Sequence, residues 1–291
     1  MYLSLCTPKR ILVPPILIYA MLSHPGRVRQ NNEDFCAASS ESGAFVVCDG
    51  MGGAAAGEVA SHLAAETFVE NLAPADLTVR PEIRLAAAVR AANQAVFHRS
   101  RTSPELHGMG TTLVGILHSP PPKTEPTSEP AAEQTPSTPV PDLWIANVGD
   151  SRCYLFRARK IAQLTSDHSL VEEQVRAGQI TAAQAARSPM RNFITRAIGS
   201  LSTVEPDIQS LTTRPGDILL LASDGLTREL SDSDIATVLS DIPSPPTQPY
   251  IAAACQSLIN AANHNGGRDN ITVLLLAFPQ GIERRKPRRL R

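Results

Sequence analysis

The sequence has few aromatic residues, few cysteines and no long uninterrupted apolar run. Phe, Trp and Tyr make up 4% of the 291 residues, which argues against a stacking surface for single-stranded nucleic acid. The five cysteines contain no C-x-x-C pair, so they indicate reduced cytosolic thiols and no zinc site. The apolar stretch from Ile11 to Leu22 is interrupted by Pro14 and Pro15, which makes it too short to span a membrane as a helix. We therefore expect a soluble, cytoplasmic protein that does not bind nucleic acid.

The formal net charge of −1 conceals an uneven distribution of charge along the chain. Residues 281–291 carry a net charge of +5 and the rest of the chain carries −6. An acidic body is compatible with a cleft that binds cations. The basic tail, taken as residues 279–291, is either a solvated end or a contact for anionic lipid or an acidic partner.

A segment rich in proline, residues 119–141, divides the apolar runs Thr111–Leu117 and Leu143–Val148. It contains eight prolines and almost no long aliphatic side chain, so it predicts a disordered insertion at the tip of a hairpin. We predict further strands at residues 16–22, 44–48, 152–157, 160–164, 217–222 and 271–278. Helices are predicted at residues 55–72, 82–101, 170–178, 231–239 and 250–263. Because the helices do not alternate one by one with the strands, this order favours an α+β fold with antiparallel sheets.

The stretch DGMGG, residues 49–53, follows one of the predicted strands and has two interpretations. Asp-Gly is a common turn pair, and an aspartate at a strand end beside bare backbone is also suited to a metal ion. Asp150, Asp224 and Asp269 repeat the pattern, since each lies at the end of an apolar strand with glycine nearby. Four such aspartates predict carboxylates gathered at one edge of a sheet, as Mg²⁺ or Mn²⁺ would require. "GDSR", residues 149–152, is predicted to be a hairpin turn.

Eight motifs occur in the order found in metal-dependent Ser/Thr protein phosphatases of the 2C class, and the chain most resembles the bacterial branch. They are GRVRQNNED (26–34), DGMGGAAAGEVAS (49–61), GMGTT (108–112), NVGDSRCYL (147–155), LTSDHSL (164–170), RNFITRAIG (191–199), LLLASDGLT (219–227) and GGRDNITVLLL (266–276). The resemblance implies one domain over residues 16–278, with two antiparallel sheets flanked by helix pairs in a four-layer αββα sandwich. It also implies Mn²⁺ or Mg²⁺ as cofactor, with two core ions and a third, looser one.

The resemblance assigns roles to individual residues. Asp49 matches the aspartate that bridges both metals, and Gly50 matches a backbone carbonyl ligand. Asp224 and Asp269 match the other ligands of the first metal, and Glu33 and Asp34 match the acidic pair that reaches the second. Arg29 matches the arginine that binds the substrate phosphate, with a surface salt bridge as the alternative. Asp150 matches a ligand of the third ion, with a turn-capping role as the alternative.

The implied reaction is hydrolysis of phosphoserine and phosphothreonine in proteins by a water or hydroxide that bridges two metal ions. Phosphoproteins, and a Ser/Thr kinase of the same cell, are then the expected partners. Met51 stands where many eukaryotic relatives have a histidine proposed as general acid. His168 is either a catalytic acid or a structural residue, and residues 169–192 resemble a flap over the site. The alternative function is a catalytically silent relative that acts as a binding or regulatory module, which should have lost ligands.

Overall fold

The computed structural model describes residues 17–73, 78–120, 140–185 and 187–279. Within these residues the chain is α+β. The strands are β1 (Ile18–His24), β2 (Asp34–Ser39), β3 (Ala44–Met51), β4 (Gly110–Thr111), β5 (Leu113–His118), β6 (Leu143–Val148), β7 (Arg152–Arg157), β8 (Lys160–Gln163), β9 (Asp207–Leu211), β10 (Ile218–Ala222) and β11 (Ile271–Ala277). The helices are α1 (Ala54–Leu72), α2 (Pro81–Arg99), α3 (Leu170–Arg176), α4 (Ala182–Ala185), α5 (Asp224–Thr227), α6 (Asp232–Ser240) and α7 (Gln248–His264).

The strands form two antiparallel sheets, which we call sheet A and sheet B. Sheet A has the order β1-β11-β10-β7-β8, and sheet B has the order β2-β3-β5-β6-β9, with the short strand β4 paired to β3. The sheets face each other across an apolar layer that includes Phe45 and Val47 from sheet B and Leu219 and Leu274 from sheet A. The outer face of sheet B packs on α1 and α2, and that of sheet A packs on α6 and α7. The four-layer αββα sandwich is therefore confirmed.

Strand β11 shows how the sequence builds these layers. All seven of its residues are buried, and alternate side chains point to opposite faces of a strand. Val273 and Leu275 contact the helical layer, whereas Leu274 and Leu276 contact the opposite sheet. A continuous apolar run is the pattern expected of a strand that is covered on both faces.

The hairpin predicted around the proline-rich segment is confirmed, because β5 and β6 pair antiparallel from Leu113 opposite Val148 to His118 opposite Leu143. Residues 121–139 of the insertion lie outside the described residues, as do Ile16 and residues 280–291 of the basic tail. No helix among the described residues is long and apolar enough to cross a membrane.

Two strands escaped the sequence prediction, and one turn was assigned wrongly. Strands β2 and β9 are short and mostly half-buried or exposed edge strands, so they lack a strong apolar signal. The GDSR stretch is not a hairpin turn within one sheet. It connects β6 of sheet B to β7 of sheet A, so it crosses from one sheet to the other. The physical reason is that each of these strands pairs with other partners, β6 with β5 and β9, and β7 with β8 and β10.

Candidate metal centre

The predicted acidic residues come together at one end of the sandwich and are contributed by both sheets. In sheet B, Asp34 opens β2, Asp49 lies near the end of β3, and Asp150 follows β6. In sheet A, Asp224 follows β10 as the first residue of α5, and Asp269 precedes β11. The prediction of a single sheet edge was therefore too narrow, because the strand ends of two facing sheets supply the carboxylates.

Asp34 and Asp49 lie directly opposite each other in the pairing of β2 with β3. Like charges in this arrangement destabilise a sheet unless a cation or a proton compensates them. Asp34 is held by Ser223, whose Oγ donates to Asp34 Oδ2 at 2.7 Å. Ser223 Oγ in turn accepts a hydrogen bond from the Thr272 backbone N–H at 2.9 Å. These two bonds tie the acidic residue of sheet B to sheet A.

Within the DGMGG stretch, β3 continues through Met51, and the last two glycines have a positive φ. The first glycine of the stretch, Gly50, serves close approach of the backbone. A Cβ atom on Gly50 would overlap the carbonyl oxygens of Gly57 and Glu33, and one on Gly57 would overlap the Glu33 carboxylate. Glycine at both positions therefore lets the Glu33 carboxylate lie against the start of α1 and keeps the Gly50 backbone bare.

A hydroxyl network fixes the backbone of Asp49. Thr111 Oγ1 donates to the Asp49 carbonyl at 2.9 Å, and the Asp49 N–H donates to Thr112 Oγ1 at 3.0 Å. Thr112 Oγ1 also lies 2.7 Å from Ser151 Oγ, next to Asp150. The GMGTT and GDSR motifs are thus physically joined, although the sequence analysis named neither threonine as a site residue.

Asn270 positions the loop that carries Arg29 and Glu33. Its side-chain oxygen accepts from the Glu33 N–H at 2.8 Å, and its side-chain NH₂ donates to the carbonyls of Pro25 and Asn31 at 3.1 and 2.8 Å. Sequence reasoning missed this role. The available signal was its place beside Asp269 in the motif GGRDN.

Burial and repulsion between neighbouring carboxylates raise the pKa values of the acids in the cluster. Burial, then the neighbouring carboxylates, with Asp34 first among them, hold the pKa of Asp49 well above its usual value. Burial and then Asp150 do the same to the pKa of Asp224, and burial raises the pKa of Asp34 to about 6. Asp34 Oδ1, Asp150 Oδ1 and Asp224 Oδ1 are buried and have no hydrogen-bond partner among the described residues. Orphaned carboxylate oxygens are what a hard divalent cation requires, so the residues fit Mg²⁺ or Mn²⁺.

These side chains do not form a complete coordination shell for one metal ion. In the parts of the chain that the structure describes, no three acidic, histidine or cysteine side chains are grouped as they would be around one ion. An arginine, Arg228, instead reaches into the cluster and contacts Asp224, Asp150 and Asp269.

Arg29 lies at the rim of the cluster. Its Nη2 and Nε atoms are 3.1 and 3.0 Å from Asp269 Oδ2 and Oδ1, and its side chain remains 52% exposed. The salt bridge considered as an alternative to phosphate binding is therefore present. Because its partner is a predicted metal ligand, this salt bridge also orients Arg29 toward the site.

His168 occupies a structural position. It is buried, its Nδ1 accepts from the Gly149 N–H at 3.1 Å, and its Nε2 lies 3.1 Å from Asp207 Oδ2. Burial lowers the pKa of this imidazole, so the neutral form is favoured. A neutral histidine that accepts at Nδ1 carries its proton on Nε2, and the bond to Gly149 makes His168 a support for the GDSR connection.

A cavity of about 410 Å³ opens beside the cluster. Its walls include Asp150, Asp224 and Arg228 on one side, and Ser169, Val171 and Ala182 from the predicted flap on the other. The part of the flap that the structure describes contains α3 and α4 and is anchored by the bridge between Ser169 and Ile194. Of the acids in the cluster, Asp150 and Asp224 are the ones that this cavity reaches.

The described cysteines offer no competing nucleophile. Cys48 and Cys153 are fully buried, and burial raises the pKa of both thiols, which keeps them protonated. Cys36 and Cys255 are also free thiols, and burial raises the pKa of Cys36 to about 11 and that of Cys255 to about 12.

Comparisons with known proteins agree with this geometry. The family model described as Protein phosphatase 2C matches residues 24–271. The chain is 37% identical over 263 residues to the serine/threonine protein phosphatase PstP of Mycobacterium tuberculosis, covering 89% of this chain but only 45% of that protein. It is 33% identical over 267 residues to the protein phosphatase PhpP of Streptococcus pneumoniae, covering 89% of this chain and 96% of that one.

Among solved structures, the chain is similar to the catalytic domain of PstP in complex with two manganese ions. The TM-score is 0.73 at 34% identity, and the match covers 91% of this chain and 99% of that one.

Proposed function

Because this chain belongs to the protein phosphatase 2C family and is a Mn²⁺- or Mg²⁺-dependent protein-serine/threonine phosphatase, we propose that its buried carboxylate cluster is the catalytic metal centre. The observation that carries this proposal is the set of orphaned carboxylate oxygens at the meeting point of the two sheets. We assign two core ions to Asp49, Asp224, Asp269, Glu33, Asp34 and the backbone carbonyl of Gly50. Asp150 faces Arg228 and is not assigned to the two core ions.

Two of the proposed ligands are held in place by hydroxyl groups. Asp49 is fixed through its backbone by Thr111 and Thr112, and Asp34 by the hydroxyl of Ser223. When bound, two divalent ions lower the pKa of a water that attacks phosphorus and neutralise charge on the phosphoryl oxygens. The protein's own contribution is to gather the acids, keep them rigid and exclude surplus water from them.

We propose that Arg29 binds the substrate phosphate. Its planar guanidinium already makes two contacts to Asp269 and keeps about half of its surface open to solvent. A guanidinium can pair with phosphate oxygens through parallel N–H donors, which fixes the orientation of the phosphoryl group. Asp269 then both binds a metal ion and orients the arginine.

The substrates that fit this site are phosphoserine and phosphothreonine side chains of proteins, and we infer that a Ser/Thr kinase of the same cell supplies them. We place the domain at residues 16–278, with residues 119–141 as an insertion and 279–291 as a basic tail that contacts an acidic partner. The free thiols among the described residues support a cytoplasmic location. All the carboxylates of the proposed core site are in place, so nothing supports a silent binding module.

The proposal is tested by hydrolysis of a phosphothreonine peptide with Mn²⁺, with Mg²⁺, and after exhaustive chelation. We expect activity with either ion, none after chelation, and recovery when Mn²⁺ is added back. A phosphotyrosine peptide of the same sequence is the matched control and should be a poor substrate. Full activity in the chelated protein would contradict the proposed metal centre.

A further inference from the structure

Arg228 is a cation built into the acidic cluster, and the sequence analysis did not identify it. It caps the short helix α5, one turn after Asp224, and its N–H donates to the Asp224 carbonyl at 2.8 Å. Its guanidinium contacts the Asp224 carboxylate. Nη2 also lies 3.6 Å from Asp150 Oδ2, and Nη1 lies 3.6 Å from Asp269 Oδ2. One positive group therefore faces three of the acids.

The position of this guanidinium coincides with that expected for the third ion. The resemblance implies Asp150 as a ligand of a loosely held ion, and Nη2 of Arg228 contacts an oxygen of Asp150 and an oxygen of its neighbour Asp224. A metal ion that used these oxygens would be within a few ångströms of a fixed positive charge. That repulsion opposes binding of the ion strongly in a poorly solvated site.

The arginine is held where it is. Arg152, which also lines the cavity, has a different partner, because it makes a bidentate pair with Asp167. The described contacts of the Arg228 guanidinium are all with the cluster, and its side chain is only 28% exposed. Its backbone is fixed by α5, and α5 begins with Asp224 itself.

We propose that Arg228 replaces the third metal ion, so that this phosphatase binds two divalent ions and balances Asp150 with its own guanidinium. This inference rests on the proposed metal centre. It makes Arg228 a positioning residue, which holds Asp224 in place for the core ions and balances the charge of Asp150.

The test is the number of Mn²⁺ ions bound per chain at saturation, measured by equilibrium dialysis with elemental analysis. We expect two ions for the wild type and three for Arg228→Gln, which removes the charge but keeps a long polar side chain. Arg228→Lys, which keeps a positive charge, should stay at two ions. Arg90→Gln is the matched control, because Arg90 is an exposed arginine whose described contacts are with Glu205 on the outer helix.

The extra ion should depend on Asp150, so the double variant Asp150→Asn with Arg228→Gln should return to two ions. In chelator, Arg228→Gln should melt below the wild type, and Mn²⁺ should remove that difference. Three ions in the wild type or in Arg228→Lys, two in Arg228→Gln, or three in the double variant would overturn the inference. Failure of the proposed metal centre itself would be distinguishable, because the wild type would then bind no ion tightly.

Discussion

The two ends of strand β10 carry the same kind of pair, an aspartate with an arginine, in opposite states of charge balance. At its beginning, Asp217 is buried and accepts from Arg157 Nε at 2.8 Å and Nη2 at 2.6 Å. The Arg214 N–H also donates to Asp217 Oδ2 at 2.7 Å. At the other end, Asp224 shares Arg228 with Asp150 and Asp269, and one of its oxygens has no partner among the described residues. One cation serves one acid at the first end and three acids at the second.

This difference separates a structural pair from a functional cluster. A buried acid whose oxygens are all satisfied stabilises its surroundings and has no capacity for a further ligand. A buried acid with an orphaned oxygen and acidic neighbours is a cost to the fold that a bound cation removes. In the sequence, only the motif LLLASDGLT distinguishes Asp224 from Asp217, because each aspartate adjoins a glycine and an apolar run. The hydrogen bonds separate the two aspartates directly.

The largest expected effect comes from removing the carboxylate of Asp224, at the end of β10 that carries the acidic cluster. Asp224→Asn should lower kcat/KM by at least roughly 100-fold, because removing even a group that only supports a metal ligand costs 10- to 100-fold. The protein should still fold, since the change takes one charge away from a crowded acidic cluster. Kinetics on a phosphothreonine peptide with limiting Mn²⁺, and a melting curve, measure both. Turnover close to that of the wild type would remove Asp224 from the ligand set.

The next effect concerns the exposed arginine beside the same cluster. Arg29→Ala should reduce kcat/KM by about 10- to 150-fold, as expected for loss of a charge-assisted hydrogen bond of roughly 1.5–3 kcal/mol. The number of bound metal ions should not change. Arg268→Ala is a suitable control, because Arg268 is also exposed beside Asp269 but pairs with Glu229. Equal effects of the two substitutions would leave Arg29 as a surface salt bridge only.

The structural end of β10 predicts the opposite result. Asp217→Asn should leave activity at 25 °C close to that of the wild type and lower the melting temperature by about 5–10 °C. Breaking a buried pair costs 3–5 kcal/mol, and we take about 2–3 kcal/mol because Arg157 is partly exposed. Arg157→Gln breaks the same pair and should give a similar shift. If Asp217→Asn lost activity and kept its melting temperature, Asp217 would be a functional residue and not a structural one.

Much of this contrast could be predicted from the sequence, and the reasons for the rest are physical. Asp49, Asp150, Asp224 and Asp269 stand out because each follows or precedes a strong apolar run, a local signal. Arg228 gives no such signal, since an arginine four residues after an aspartate is usual on a helix surface. Its inward direction depends on the packing of α5 against β10, β11 and α7, which is a property of the tertiary fold. The crossing of GDSR between sheets was missed for the same reason, because strand partners are set by contacts distant in sequence.

The smallest predicted effect concerns His168, which supports the Gly149–Asp150 connection between the two sheets. Burial lowers the pKa of His168 below its usual value near 6.5, and Arg196 lies on the far side of its partner Asp207. Above that pH the histidine is neutral in both the folded and unfolded states, so it adds no pH dependence. As the pH falls below 6.5, the unfolded chain takes up a proton that the folded protein resists, and the wild type loses stability. His168→Gln has no such group, so the melting-temperature advantage of the wild type should shrink between pH about 7.5 and 5.5.

The comparison is made at saturating Mn²⁺, where the pH dependence of metal binding affects both proteins alike. An advantage that grows as the pH falls would mean that His168 is a charged partner of Asp207. An ion pair, as at Asp217, would then hold the Gly149–Asp150 connection in addition to the neutral hydrogen bonds between His168 and Gly149.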